Sequence, residues 1–293
     1  MFKTFFSMDE FKKNLKASTG MRLFIYLIAF FVCTLIGVVL ASLLSVNNDI
    51  VMLKIGQGIS SALMFIAPPL ILYAFTRQRP MQALGFRKSA SGWMLLIGVA
   101  LMFVSLPLTN ILGSWNEKVN FGATLESLLK MMEDTAADLT QRMLEVDTVW
   151  GLLGNLLVIA LIPAVGEELT FRGVLQQALT RRCKNAHVAI FLSAFIFSFI
   201  HFQFYGFLPR LFLGLLLGYM FYYSRSLWTS ILMHFINNGT AVVVAYLDHK
   251  GLANVDWEHF GSTSNVFLLI ISLLMTVGMI VIVAKIQYKY GRK

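Results

Sequence analysis

The chain contains little charge, cysteine or proline. Charged residues make up 13% of its 293 residues, cysteine occurs twice and proline six times. So little charge excludes an ordinary soluble domain of this size, in which about a quarter of the residues are charged. The two cysteines, Cys33 in an apolar run and Cys183 in a basic turn, do not suggest a disulfide framework. Instead, 57% of the residues are hydrophobic and 25 are Phe, which indicates a membrane protein.

Continuous apolar runs long enough to cross a bilayer recur along the chain. We predict eight spans, at residues 23–44, 55–75, 93–112, 151–180, 187–206, 208–223, 227–247 and 266–286. Helices are expected because the runs do not alternate, and because lipid offers no hydrogen-bond partner to an open strand edge. The predicted fold is an all-α polytopic membrane helix bundle. It has an N-terminal extension at 1–22 and one integral-membrane domain at 23–293.

The net charge of +9 is explained by the distribution of Lys and Arg between the two sides of this bundle. If the N-terminal extension is cytoplasmic, the connections on its side hold most of the 24 basic residues. This positive-inside pattern predicts eight spans with both termini in the cytoplasm. The expected location is a bacterial inner (plasma) membrane, the expected surroundings are the lipid bilayer, and no nucleic-acid partner is expected.

One segment between spans three and four is too polar to cross a membrane. In residues 124–146, "TLESLLKMMEDTAADLTQRMLEV", Leu and Met recur at helical spacing. The other face is predicted to carry Glu126, Glu133, Asp134 and Asp138. We predict an amphipathic helix at the outer surface, lying on the bilayer or packed over the bundle. A role in covering a substrate entrance is one hypothesis for it.

Titratable residues concentrate in the most hydrophobic half of the chain. Between Asp147 and Asp248 the only acidic residues are Glu167 and Glu168. Charges inside a membrane are costly, so their presence indicates function. Glu168 and Arg172 are four residues apart on one helix and can neutralise each other. Glu167, rotated by about 100° around the helix, has no obligatory partner on its own span.

Three of the five histidines lie in the same stretch: His187, His201 and His234. Helical rise places Glu168 and His201 roughly 20–25 Å from the basic turn at 181–184, near the middle of the membrane. Helical spacing also pairs Phe197 with His201, and His234 with Asn238 or, alternatively, Asn237. His187 is predicted at the membrane interface, and His249 and His259 in solvent.

These groups could carry out peptide hydrolysis, which needs an activated water and donors to the oxyanion. Glu167 with His201 would deprotonate the water, and His234 with Asn238 would bind the oxyanion. Glu168, Arg172 and Phe197 would support them. This chemistry needs no cofactor. A zinc ion held by Glu167, His201 and His234 is the alternative, although the sequence has no HExxH motif.

The motifs "EELTFR", "FSFIH" and "HFINN", in this order on successive spans, resemble those of one protease family. This is the CPBP family of CAAX proteases and bacteriocin-processing (Abi) membrane proteins, related to the Rce1-type prenyl endopeptidases. Its pattern EExxxR, FxxxH and HxxxN covers about residues 150–247, the predicted catalytic core. The resemblance implies an Rce1-like bundle and a glutamate-dependent intramembrane endopeptidase, of a type historically classed as metalloproteases.

The sequence leaves the substrate and two other functions open. A prenylated C-terminus, a peptide and a membrane protein are all substrates that such an enzyme could cleave. The main alternative is a non-catalytic bacteriocin-immunity or membrane scaffold protein that uses the polar groups for packing. A transporter with a proton relay is a further alternative, but inverted repeats and paired broken helices are not evident.

Overall fold

The computed structural model describes residues 19–76, 79–86, 92–252 and 260–290. Over these ranges the regular secondary structure is helical, and the predicted all-α fold is confirmed. Residues 1–18 of the predicted N-terminal extension lie outside the described residues, and so does His259.

Helices of very different length make up the bundle. They are α1 (Thr19–Leu44), α2 (Ile50–Phe65), α3 (Ala67–Phe75), α4 (Pro80–Leu84), α5 (Gly92–Val104), α6 (Leu106–Asn116), α7 (Ala123–Leu144), α8 (Val149–Cys183), α9 (Ala186–Phe199), α10 (Phe207–Ser224), α11 (Leu227–His249) and α12 (Val266–Tyr290). A 3₁₀ turn at Phe204–Gly206 precedes α10.

The described helices support a multi-pass membrane protein. Fewer of them can cross the membrane than the eight spans predicted. Six are long and apolar enough to cross a membrane: α1, α2 with α3, α8, α10 with its 3₁₀ turn, α11 and α12. The pair α5 and α6, bent by 43°, can be a seventh. The remaining predicted span is α9, whose 14 residues rise about 21 Å and do not cross the hydrocarbon core.

The short α9 corrects the predicted span at 187–206 and the place of His201. The helix ends at Phe199, and the chain reverses at Phe202, which has a φ of 54°. His201 therefore lies in a turn rather than on a helix. The apolar pattern continues through "FIHFQFYGF", so hydropathy alone gave no sign of the turn.

Two spans are interrupted where a proline begins the next helix. Pro68 and Pro69 open α3 after the break at Ile66, and the break between α5 and α6 has a proline in the same position. Proline has no N–H for the preceding turn, so the helix bends or restarts there. Gly166 of α8 packs against the first break, and a Cβ at this position would lie 2.8 Å from the Cβ of Phe65.

The long helix α8 is not α-helical throughout. Its segments Leu156–Leu161 and Leu169–Gln176 are π-helical, and they enclose the α-helical segment Ile162–Glu168. π-Turns are rare and often occur at functional sites. Because their hydrogen bonds join residues five apart, side chains beyond them are rotated relative to a regular α-helix.

Two glycines of α10 form a close contact surface, as their small-xxx-small spacing predicts. A Cβ at Gly214 would lie 2.9 Å from the Cβ of Ala194, and one at Gly218 would lie 2.9 Å from Ile190. The same turns of α10 accept side-chain bonds from α8. Arg172 donates to the Gly214 carbonyl at 3.0 Å, and Gln176 donates to the Gly218 carbonyl at 3.0 Å.

The predicted amphipathic helix is α7, with one correction to its faces. Met143 and Leu144 are buried, whereas Leu125 is 54% exposed. Glu133, assigned above to the polar face, instead turns inward, and its Oε2 is buried with no hydrogen-bond partner among the described residues. Burial raises the pKa of the Glu133 carboxyl, and nearby Arg210 partly opposes this.

The end of α6 is hydrogen-bonded to the turn after His201. The buried Asn116 donates to the Phe204 carbonyl at 2.8 Å and accepts from the Leu208 amide at 2.6 Å. Phe121 adds an edge-to-face contact with Tyr205, with ring centroids 5.5 Å apart. Helices α6 and α7 with their connection, residues 106–144, are called the cap below.

We predict that Gly214→Ala lowers the free energy of unfolding by about 1–3 kcal/mol, because the new methyl group overpacks the contact with α9. Gly154→Ala is the matched control, since no heavy atom lies within 4 Å of the position its Cβ would take. Thermal melting of the purified proteins in one detergent measures the difference. Equal melting temperatures for the two variants would contradict the close packing described here.

Candidate active site

The centre of the site is a buried network around the second glutamate of α8. Glu168 Oε1 accepts from Arg172 Nη1 at 2.6 Å and from His234 Nδ1 at 3.0 Å. The side chains of Glu168, Arg172 and His234 are 0%, 1% and 2% exposed. The pairing of Glu168 with Arg172 is as predicted. The bond from His234 was not predicted, and it joins α11 to α8.

Arg172 connects this network to two further helices. Its Nη2 donates to the Gly214 carbonyl of α10, and its guanidinium carbon lies 5.0 Å from the ring centre of Phe197 on α9. A cation over an aromatic face is stabilised electrostatically. Arg172 therefore holds together four helices: its own α8, α9, α10 and, through Glu168, α11.

Glu167 differs from its neighbour in its access to solvent. Its side chain is 11% exposed, and its Oε2 lies 3.7 Å from His234 Nε2. At this distance the two groups form an ion pair when His234 is protonated. When His234 is neutral, a water molecule can bridge them. His234 thus lies between the two glutamates, with one ring nitrogen toward each.

His201 approaches the same site from the turn after α9. Its Nδ1 lies 2.7 Å from the Phe197 carbonyl oxygen, and its ring contacts that of Phe197 with centroids 5.1 Å apart. Phe197 also contacts His234, at 5.9 Å. As predicted, Phe197 and His201 meet. Among the described residues, however, no hydrogen bond or ion pair links His201 to Glu167; the two interact electrostatically over a longer distance.

The hydrogen bonds indicate which ring nitrogens carry protons. The Phe197 carbonyl can only accept, so His201 Nδ1 is the protonated nitrogen. The ionised Glu168 also only accepts, and the same follows for His234 Nδ1. In the neutral rings each Nε2 is then a lone-pair acceptor.

Asn238 lies one turn beyond His234 on α11. Its side-chain oxygen accepts from Asn237 Nδ2 at 3.0 Å, so the oxygen rather than the nitrogen of Asn238 is engaged there. Asn237, the alternative residue, also lines a cavity of about 170 Å³ between α6 and α11. The described contacts do not join His234 and Asn238 to each other.

The three candidate metal ligands are not arranged as a metal site. Among the described residues, no three His, Cys, Asp or Glu side chains are placed to hold one ion. Glu167 and His234 are close to each other, but His201 reaches the site only through Phe197. The side chains as placed here therefore do not fit the predicted zinc alternative.

The remaining predicted histidines lie away from this site. His187, at the start of α9, has its Nδ1 3.0 Å from the Tyr219 hydroxyl. His249, at the end of α11, is 3.5 Å from Asp147. Arg210, which belongs to none of the three motifs, also lies near this site. It lies close enough to Glu167 and His201 to interact with both electrostatically. It follows the 3₁₀ turn by four residues, and no helical spacing in the sequence pairs it with the site.

A family model described as type II CAAX prenyl endopeptidase Rce1-like matches residues 149–240. The match begins with α8 and ends within α11, and it includes all three motifs. The match supports the CPBP family of CAAX proteases, which the motifs predicted, over these residues. At family level this supports a membrane-embedded hydrolase that acts on peptide substrates. Neither the curated proteins nor the solved structures compared with the chain gave a match.

We predict that Arg172→Ala destabilises the protein by about 3–5 kcal/mol, because it leaves Glu168 buried without its main counter-charge. It should also abolish any activity that depends on the site. Arg182→Ala, at an exposed position of α8, is the control and should melt like wild type. Thermal unfolding in detergent tests this, and an Arg172→Ala protein as stable as wild type would refute the structural role.

Proposed function

We propose that the protein is an intramembrane endopeptidase in which Glu167 is the general base. Its substrates would be membrane-associated or lipidated proteins and peptides, prenylated C-termini among them. The proposal includes the predicted location in a bacterial plasma membrane with both termini in the cytoplasm. The polar groups converge on one site, which favours this function over a scaffold or immunity role.

The observation that carries the proposal is the difference between two adjacent carboxylates. Glu168 is fully buried and bonded to two donors, whereas the Glu167 side chain is 11% exposed and, among the described residues, has one ion-pair contact, with a histidine nitrogen at 3.7 Å. A packing role would engage both. A hydrolytic site needs one carboxylate that can take a proton from water and one network that holds it in place.

In the reaction we propose, Glu167 accepts a proton from a water molecule held between its carboxylate and His201 Nε2. The water oxygen forms a bond to the carbonyl carbon of the peptide, and the carbonyl π electrons move to its oxygen. Collapse of this intermediate breaks the C–N bond, and protonated Glu167 returns the proton to the leaving amine. No step needs a metal ion or a cofactor.

The histidines and Asn238 have separate roles in this scheme. His201 Nε2, a lone-pair acceptor in the neutral ring, orients the water. His234 in its doubly protonated form and the amide nitrogen of Asn238 stabilise the oxyanion. The buried Glu168 and Arg172 position the His234 ring, and Phe197 separates the two histidines at a fixed distance.

We expect Glu167→Gln to lower cleavage by about 10²–10⁴-fold while the fold is retained, because the amide cannot accept the proton. Protein termini are compared in membranes that contain wild type, Glu167→Gln or the exposed-site control Glu145→Gln. New termini with wild type and the control alone would support the protease. The same termini at equal protein levels in all three would favour the scaffold or immunity alternative. Wild-type termini that persist with a chelator would support metal-independent chemistry.

Asn238→Ala should lower kcat by about 10²–10³-fold with little change in KM, because an oxyanion donor acts in the transition state. Asn237→Ala is the matched control on the next position of α11 and should keep most of the activity. Steady-state kinetics on a peptide that spans an identified cleavage site measure both. A larger loss with Asn237→Ala would move the oxyanion role to that residue.

A further inference from the structure

Another cavity, of about 330 Å³, lies where the C-terminal ends of α8 and α10 meet the short helix α4. Its polar lining consists of Gln82, Gln176, Gln177, Thr180, Arg181 and Arg225. Among the described residues, no Asp or Glu contributes to this lining. The cavity is therefore positively charged, unlike the surroundings of Arg172, where a carboxylate neutralises the arginine.

Hydrogen bonds between the helices fix the walls of this cavity. Gln177 Nε2 donates to the Ala83 carbonyl of α4 at 3.1 Å and to the Gly173 carbonyl of its own helix at 2.8 Å. Gln176 Nε2 donates to the Gly218 carbonyl of α10. These bonds hold α4 and α10 against α8, so the cavity exists without a ligand, as most binding sites do.

The positive charge of Arg181 is not offset by a carboxylate in the described part of the chain. The groups that act on it electrostatically are the Arg22 guanidinium of α1 and the Tyr73 hydroxyl of α3. Arg22 has the same charge as Arg181 and repels it. Arg225 brings a further positive charge to the same cavity. The charges at this place therefore favour an anionic ligand.

The cavity lies at the level of the phospholipid headgroups. Helices α8 and α10 belong to spans that end at Cys183 and Ser224, and the two lining arginines lie within two residues of these ends. Tyr222 of the lining is 42% exposed, and Trp228, three residues after Arg225, is 48% exposed. Exposed Tyr and Trp at the ends of spans mark the membrane–water interface, where lipid phosphates are the abundant anions.

We propose that this cavity binds the headgroup phosphate of an anionic phospholipid through Arg181 and Arg225. The planar guanidinium matches the geometry of phosphate oxygens and forms charge-assisted hydrogen bonds with them. Basic pockets between membrane-spanning helices bind lipid headgroups in this way. The proposal is independent of the proposed protease activity.

The two arginines also select among phosphates. A zwitterionic lipid carries an ammonium group, which adds a positive charge beside the guanidinium groups and is repelled by them. An anionic lipid such as phosphatidylglycerol has no such group, so it is preferred. Soluble phosphate has the same chemistry as a lipid phosphate, and the experiment below distinguishes the two sources.

The test uses the full-length protein in detergent, mixed with equal amounts of phosphatidylglycerol and phosphatidylcholine. Native mass spectrometry measures which lipid the protein retains. Wild type should bind phosphatidylglycerol about 10–100-fold more tightly than phosphatidylcholine, the value of hydrogen bonds between charged groups. Arg181→Gln and Arg225→Gln should each lower this preference by about 10-fold, because each removes one charged donor.

Matched variants separate lipid binding from a general effect of charge. Arg182→Gln removes the same charge from the next residue of α8, which is exposed and does not line the cavity, and should keep the preference. Arg181→Lys should keep part of it, because lysine retains the charge without the planar fork. Melting in lipid-free detergent checks that each variant folds, and the two arginines test the same prediction independently.

Three results would overturn the proposal. Equal retention of the two lipids by wild type would show that the cavity does not select an anionic headgroup. A loss with Arg182→Gln as large as that with Arg181→Gln would assign the preference to the overall charge of this end of the bundle. Displacement of the bound lipid by millimolar inorganic phosphate would assign the cavity to a small soluble anion, whereas retention of the lipid under that condition would support the headgroup site.

Discussion

The buried contact of Glu168 with Arg172 and His234 is the constraint on which the rest of the site depends. Removing these groups from water is costly, and their attraction offsets that cost only if the geometry is maintained. Glu168 Oε1 accepts two bonds at 2.6 and 3.0 Å, and Arg172 continues to α10 and to the ring of Phe197. A shift of any of these helices would break one of these hydrogen bonds or the contact of Arg172 with the Phe197 ring. The charge cluster therefore aligns four helices where lipid itself gives them little reason to associate.

This alignment explains how two adjacent glutamates acquire different environments. Consecutive residues of a helix point about 100° apart, so Glu167 points to a different side of α8 from Glu168 and contacts the other nitrogen of the His234 ring. The π-helical segments on both sides allow the α-helical turn between them to take this orientation while the rest of α8 packs independently. The side chain of the first glutamate is then 11% exposed, and that of the second is fully buried.

Much of this could be predicted from the sequence where the interactions are local. The pairs Glu168–Arg172 and Phe197–His201 follow from four-residue spacing, and the apolar runs predict an all-helical bundle. The bond between His234 and Glu168 could not be predicted, because it joins residues 66 positions apart and depends on the rotation of α8 at its π-turns. The depth predicted from helical rise places the motifs near one another in the membrane. It does not predict which glutamate each histidine faces. Glu167 lies 3.7 Å from His234 and interacts with His201 over a longer distance.

The short helix α9 shows a second limit of hydropathy, because it places His201 in a turn. The helix stops at Phe199, and the turn after it is held by Asn116 of the cap. Non-helical backbone at membrane depth is tolerated only where protein or a water-filled cavity satisfies it, and Asn116 satisfies one carbonyl and one amide of this turn. The bonds that stabilise the turn thus also connect the cap to the segment that follows His201.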